Sequence, residues 1–97
     1  MSRYHNLYDS SGVAKFETLG TNASTSSKSS AKTARRITVV TGGVAHFVAF
    51  GTSTVAATTG SCVVPANSTM DFHFVSGQYV AALSQSGASY ITIIDSD

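Results

Sequence analysis

The densest chemistry in the chain is a run of three residues, Asp71-Phe72-His73. On a strand, alternate residues share a face, so this carboxylate and imidazole would stand side by side. Such a pair could hold a metal ion or move a proton. A metal site needs three or four ligands of matched geometry, which one Asp and one His do not supply, although copies of His73 could meet on the axis of a trimer. The simpler reading is a half-exposed strand face with a hydrogen-bonded histidine. His46 sits in the apolar stretch Val44–Phe50 and reads as a satisfied core or interface histidine. Cys62 is the one cysteine, so no internal disulfide can form. It reads as a small buried apolar residue rather than a nucleophile.

Other catalytic patterns are missing from the sequence. Glu17 is the one glutamate, and the acids after Arg36 are Asp71, Asp95 and Asp97, a poor supply for a paired-carboxylate hydrolase. Serines are abundant, but none lies in a G-x-S-x-G elbow. No P-loop, G-x-G-x-x-G or CxxC occurs. Asn22-Ala23-Ser24 and Asn67-Ser68-Thr69 match the glycosylation acceptor pattern and read as chance matches. The expectation is a non-enzymatic protein with no cofactor and no metal.

Charge is scarce and polarised. Only 11% of the 97 residues are charged, against about a quarter in ordinary soluble domains. All six bases (Arg3, Lys15, Lys28, Lys32, Arg35 and Arg36) precede Ile37, with Asp9 and Glu17 the acids among them. From Ile37 onward there are three acids and no base. A basic half calls for an acidic partner. Nucleic acid fits poorly: the second half would repel phosphate, and the basic stretch lacks interleaved aromatic platforms. The opening residues lack the apolar core of a secretory signal, and the longest apolar run is too short to cross a bilayer as a helix. The expectation is synthesis in a cytoplasm and no membrane partner.

Positioning elements follow from the pattern. Residues 1–19 scatter Tyr4, Leu7, Tyr8, Val13, Phe16 and Leu19 without clear periodicity, and Gly20–Ala34 is a Ser/Thr-rich stretch with no large apolar side chain. Residues 1–35 therefore read as an extended basic arm and linker, which orders on binding. A plain solubilising tail is the bland alternative, but it has no need of those aromatic residues. The arm's candidate partner-binding residues are Arg3, Tyr4, Leu7, Tyr8, Phe16, Lys28, Lys32, Arg35 and Arg36.

Residues 36–97 alternate β-formers with turn formers. Strands are expected at 36–40, 44–50, 61–64, 70–75, 79–84 and 90–95, with a weaker extended piece at 55–58. This spacing predicts an all-β domain: a small antiparallel β-sandwich or barrel of six or seven short strands, jelly-roll-like, with the arm in front. The expected core is Ile37, Val39, Phe47, Val64, Phe72, Phe74, Val80, Ala82, Ile91 and Ile93. Val44–Phe50 can face the core with either Phe47 or the set His46, Val48 and Phe50; both faces are apolar, so one is expected to meet another subunit, with His46, Val48 and Phe50 as the interface candidates. Such a small domain also suggests support from other copies.

The second half resembles a recurring class of small tailed-bacteriophage virion proteins. The matching pieces are "VAFG" (48–51), "STVAATTG" (53–60), "VVPAN" (63–67), "DFHFVSGQYVAAL" (71–83) and "YITIID" (90–95). The resemblance covers about the last 60 residues and carries no catalytic fingerprint. It implies a structural role in the virion, as a capsid decoration (cement) protein that trimerises and laces its arm over the major capsid protein. A head-fibre, head–tail or tail-associated module that binds a host glycan is the alternative, for which Tyr79 and Tyr90 are the candidate aromatic contacts.

Overall fold

The structure is a computed structural model that describes residues 16–96. Eight strands follow in order: β1 (Phe16–Thr21), β2 (Ser27–Lys28), β3 (Arg36–Thr41), β4 (His46–Gly51), β5 (Cys62–Val64), β6 (Thr69–His73), β7 (Tyr79–Ser84) and β8 (Ser89–Ser96). They form two four-stranded antiparallel sheets, ordered β1-β8-β3-β6 and β2-β7-β4-β5. First pairs with eighth, second with seventh, third with sixth and fourth with fifth. One long hairpin has thus been rolled into a sandwich, which is the jelly-roll order. No helix occurs among the described residues.

Period-2 alternation explains the core. Ile37 and Val39 of β3, Ile91 and Ile93 of β8, and Leu19 of β1 project inward from the first sheet. Val48 of β4, Val64 of β5, and Val80 and Ala82 of β7 meet them from the second. Met70 and Phe72 of β6, with Phe74 just after it, fill one end, where Phe50 stacks edge-on to Phe72 at 5.0 Å and to Phe74 at 5.5 Å. Gly77 (φ 91°) and Gly87 (φ 63°) turn the chain into β7 and β8, in the left-handed region that glycine adopts without strain. Asn67 (φ 53°) does the same between β5 and β6, a place asparagine tolerates.

The boundary expected at Arg35 falls inside the fold. β1 runs along β8 from Phe16↔Ile94 to Thr21↔Ser89, and β2 pairs with β7. The Ser/Thr-rich stretch lacks large apolar side chains, yet its hydroxyls and backbone are tied down. Asn22 Oδ1 accepts the N–H groups of Ser24 and Thr25, and Ser29 Oγ accepts from Val80 N. Its ordering is supported by hydrogen bonds rather than apolar burial.

The two faces of β4 are also exchanged relative to the expectation. His46 and Val48 are buried between the sheets and Phe50 packs, partly buried, against the same core, so this face of β4 is spent inside the sandwich. Phe47, expected in that core, points out of the second sheet. There, with Ala49, Ala81 and Leu83, it is covered by Val55 and Ala57 of the chain's own 52–61 loop. That loop takes the place of the expected extended piece at 55–58. Ser26 Oγ fastens it by accepting from Ala57 N at 2.8 Å.

A chain beginning at Arg35 would lack β1, β2 and their core contacts. It is expected to show no cooperative thermal transition by circular dichroism, whereas the full chain melts in a single step.

Candidate functional site

Four groups of polar residues define what the surface and interior can do. The first is internal. His46 is fully buried, and its Nδ1 faces the Val44 carbonyl at 3.0 Å, so Nδ1 must carry the proton. Nε2 then accepts from Thr21 Oγ1 at 2.8 Å. This bond joins β4 of one sheet to β1 of the other. Burial pushes the imidazole below its ordinary value, against the opposing pull of the Val44 carbonyl.

The second group lies where β1 and β2 meet. Glu17 Oε1 takes a hydrogen bond from Lys32 Nζ at 2.6 Å and another from Ser30 Oγ at 2.9 Å, while Ser30 N–H points at the same carboxylate. Burial raises the Glu17 pKa, but the bonds from Lys32 and Ser30 outweigh it and hold the carboxyl below its ordinary range. Lys32 is buried, so its charge is spent inside the fold and is withdrawn from the candidate partner contacts.

Lys28 forms the third. Its Nζ donates to the Ser53 carbonyl and lies 5.0 Å from the centre of the Tyr79 ring. It pins the covering loop and occupies one of the two tyrosines considered for glycan stacking.

The fourth group faces solvent. Arg35 and Arg36 are exposed at the start of β3. In the sheet Arg36 is in register with His73, and Thr38 with Asp71. Thr38 Oγ1 donates to Asp71 Oδ1 at 2.6 Å. Arg36, Asp71, Phe72 and His73 line a shallow depression of about 250 Å³. The Asp71–His73 pairing on one face is as the sequence suggested, but the hydrogen bond goes from Thr38 to Asp71. Among the described residues no group of three or more His, Cys, Asp or Glu side chains could hold a metal.

Exposed apolar residues complete the surface. Phe16 at 40% and Tyr90 at 57% exposure stand at the β1–β8 side, and Val63 at 47% on β5. Cys62 is exposed, contrary to the buried role expected for it, because it opens β5, a short outermost strand, at the last residue paired with β4. Arg3, Tyr4, Leu7 and Tyr8 lie outside the described residues. The structure does not gather the rest of the arm set into one patch: Phe16, Arg35 and Arg36 are exposed, whereas Lys28 and Lys32 are engaged internally. Sequence reasoning missed the Glu17–Lys32 pair, since a spacing of fifteen residues across an irregular loop has no periodic signature.

Comparison with known protein families, with curated proteins and with solved structures finds no match.

Two outcomes follow from the buried ties. As pH falls through about 6.5 the unfolded chain's imidazole protonates before the native one, so stability attributable to His46 is complete above that pH and declines below it. His46→Gln is expected to remove this part of the slope in urea titrations between pH 7.5 and 5 and to cost about 2 kcal/mol at neutral pH. Glu17→Gln leaves Lys32 buried without its counter-charge and is expected to cost about 1–2 kcal/mol at pH 7. For Glu17, whose carboxyl is depressed, the difference between variant and parent is expected to shrink only as pH falls through the acid range below about 4.3.

Proposed function

We propose that this protein is a non-enzymatic structural component of a virion, most specifically a capsid decoration protein that docks on the major capsid protein. The observation that carries the reading is the strand order: rolled eight-stranded sandwiches of this kind are used for viral capsid and lectin domains. Fold by itself does not assign function, so the surface must support it. That surface is poor in charge, and among the described bases only the adjacent Arg35 and Arg36 extend into solvent without an internal partner. They offer an acidic capsid face a compact cationic contact beside His73.

A glycan-binding virion module is the second reading. It is favoured by one observation, the exposed ring of Tyr90. Because residues 16–35 belong to the sandwich, removing the N-terminal third cannot separate these readings. Point substitutions at exposed positions can.

The test is co-sedimentation of the full chain with expanded tailed-phage capsids. Arg35→Glu/Arg36→Glu is expected to weaken binding by at least about tenfold. Wild-type binding is expected to fall as salt screens the contact. Capsid binding by the double variant equal to wild type would count against the docking face. Absence of wild-type capsid binding, together with glycan binding abolished by Tyr90→Ala, would favour the second reading.

A further inference from the structure

β6 ends the sheet β1-β8-β3-β6, so no described strand lies along its outer side. The orientation of its backbone can be read from one bond. Phe74 N–H donates to the Arg35 carbonyl at 2.8 Å, toward β3. In an antiparallel ladder a residue's N–H and C=O point the same way, and successive residues point oppositely. Phe72 and Met70, in register with Ile37 and Val39, therefore also turn toward β3. Asp71 and His73 turn their backbone groups outward.

The side chains add a pattern to this edge. Asp71 and His73 are exposed on the outer face, and Phe72 is half-buried on the inner one. β6 contains no proline and no lysine, and its register with β3 runs without a bulge. Of the guards against edge pairing, the strand thus lacks these three: proline, lysine and a bulge.

We propose that β6 pairs with β6 of a second copy, antiparallel, about a two-fold axis through Phe72. Asp71 of each copy then faces His73 of the other. Each such pair exchanges both backbone N–H···O=C bonds, because these are the residues whose groups point outward. The Phe72 rings meet on the inner face, and Arg36, in register with His73, adds positive charge near the opposing Asp71. Side-chain complementarity selects this register. Centring on Asp71 would set carboxylate against carboxylate, and centring on His73 would set imidazole against imidazole. A carboxylate can accept an N–H from the imidazole directly across from it, whereas two carboxylates directly across from each other repel. The contact is isologous and closes as a dimer, unlike the trimer that the sequence resemblance implies. A five-residue edge buries less than a standard stable interface, so pairing is concentration-dependent. The inference does not rest on the virion reading.

The experiment is sedimentation velocity on the full chain from about 10 μM to about 1 mM. Wild type and His73→Lys are expected to move from monomer to dimer across this range. His73→Asp is expected to weaken dimerisation by at least about tenfold, since it places like charges across the pair. His73 is exposed, and all three proteins are expected to share one circular dichroism spectrum and melting temperature. Wild type that stays monomeric at the highest concentration would overturn the proposal. So would a His73→Asp protein that dimerises as tightly as His73→Lys. A dimer lost in Val63→Lys but kept in His73→Asp would place the contact on β5 and overturn it equally.

Discussion

The fold depends on closing one side of a sandwich with a strand that has little apolar material of its own. β1 contributes a single buried aliphatic side chain, Leu19, to the core. Its place is specified by polar contacts. Thr21 reaches across to His46, and Glu17 gathers Lys32 and Ser30 from the segment that carries β2. The Thr21–His46 bond is buried and the Lys32–Glu17 bond partly buried, and leaving either partner unsatisfied there is costly. They also explain the neutral, singly protonated state of His46: a charged ring would lose solvation, and the Nδ1 proton already has the Val44 carbonyl.

The two lateral sides of the sandwich are consequently unlike. Where β1 and β2 run, side-chain bonds knit the sheets together. Where β5 and β6 run, the turn at Pro65–Ser68 is fastened by Thr41, whose hydroxyl donates to the Pro65 carbonyl and accepts from Ser68 N–H. Beyond that turn the strands present a short edge with Cys62 and Val63 exposed, and a longer one with Asp71 and His73. Positive charge follows the same asymmetry. Lys32 is buried beside Glu17 and Lys28, though exposed, is held by the covering loop, whereas Arg35 and Arg36 emerge next to the open edge at His73. The features suited to contact with other molecules therefore concentrate at one end of β3 and β6.

Much of this architecture could be read directly from the residues. Strands β3 to β8 follow from β-branched runs separated by Gly, Pro and Ser/Thr turns, and the alternation of Met70, Phe72 and Phe74 fixed their face correctly. β1 and β2 were not legible, because propensity and apolar burial are the wrong signals for them. Phe16–Thr21 is a strand by virtue of its partner β8, and Ser27–Lys28 by hydrogen bonds to β7. The faces of β4 were ambiguous for a related reason: Phe47 and Phe50 are both apolar, and only the 52–61 loop folding over Phe47 decides which is inside. At the surface, the Asp71-Phe72-His73 spacing correctly placed a carboxylate and an imidazole together. The burial of Lys32 beside Glu17 required the tertiary structure.

Whether the strand Phe16–Thr21 is a structural wall of the sandwich can be read from amide hydrogen exchange on the full chain at neutral pH. Slow exchange at Leu19 and neighbouring amides of Phe16–Thr21, comparable with β3 and β7, is the result this account requires. Exchange across Phe16–Thr21 as fast as in an unstructured peptide, with β3 to β8 still protected, would contradict it.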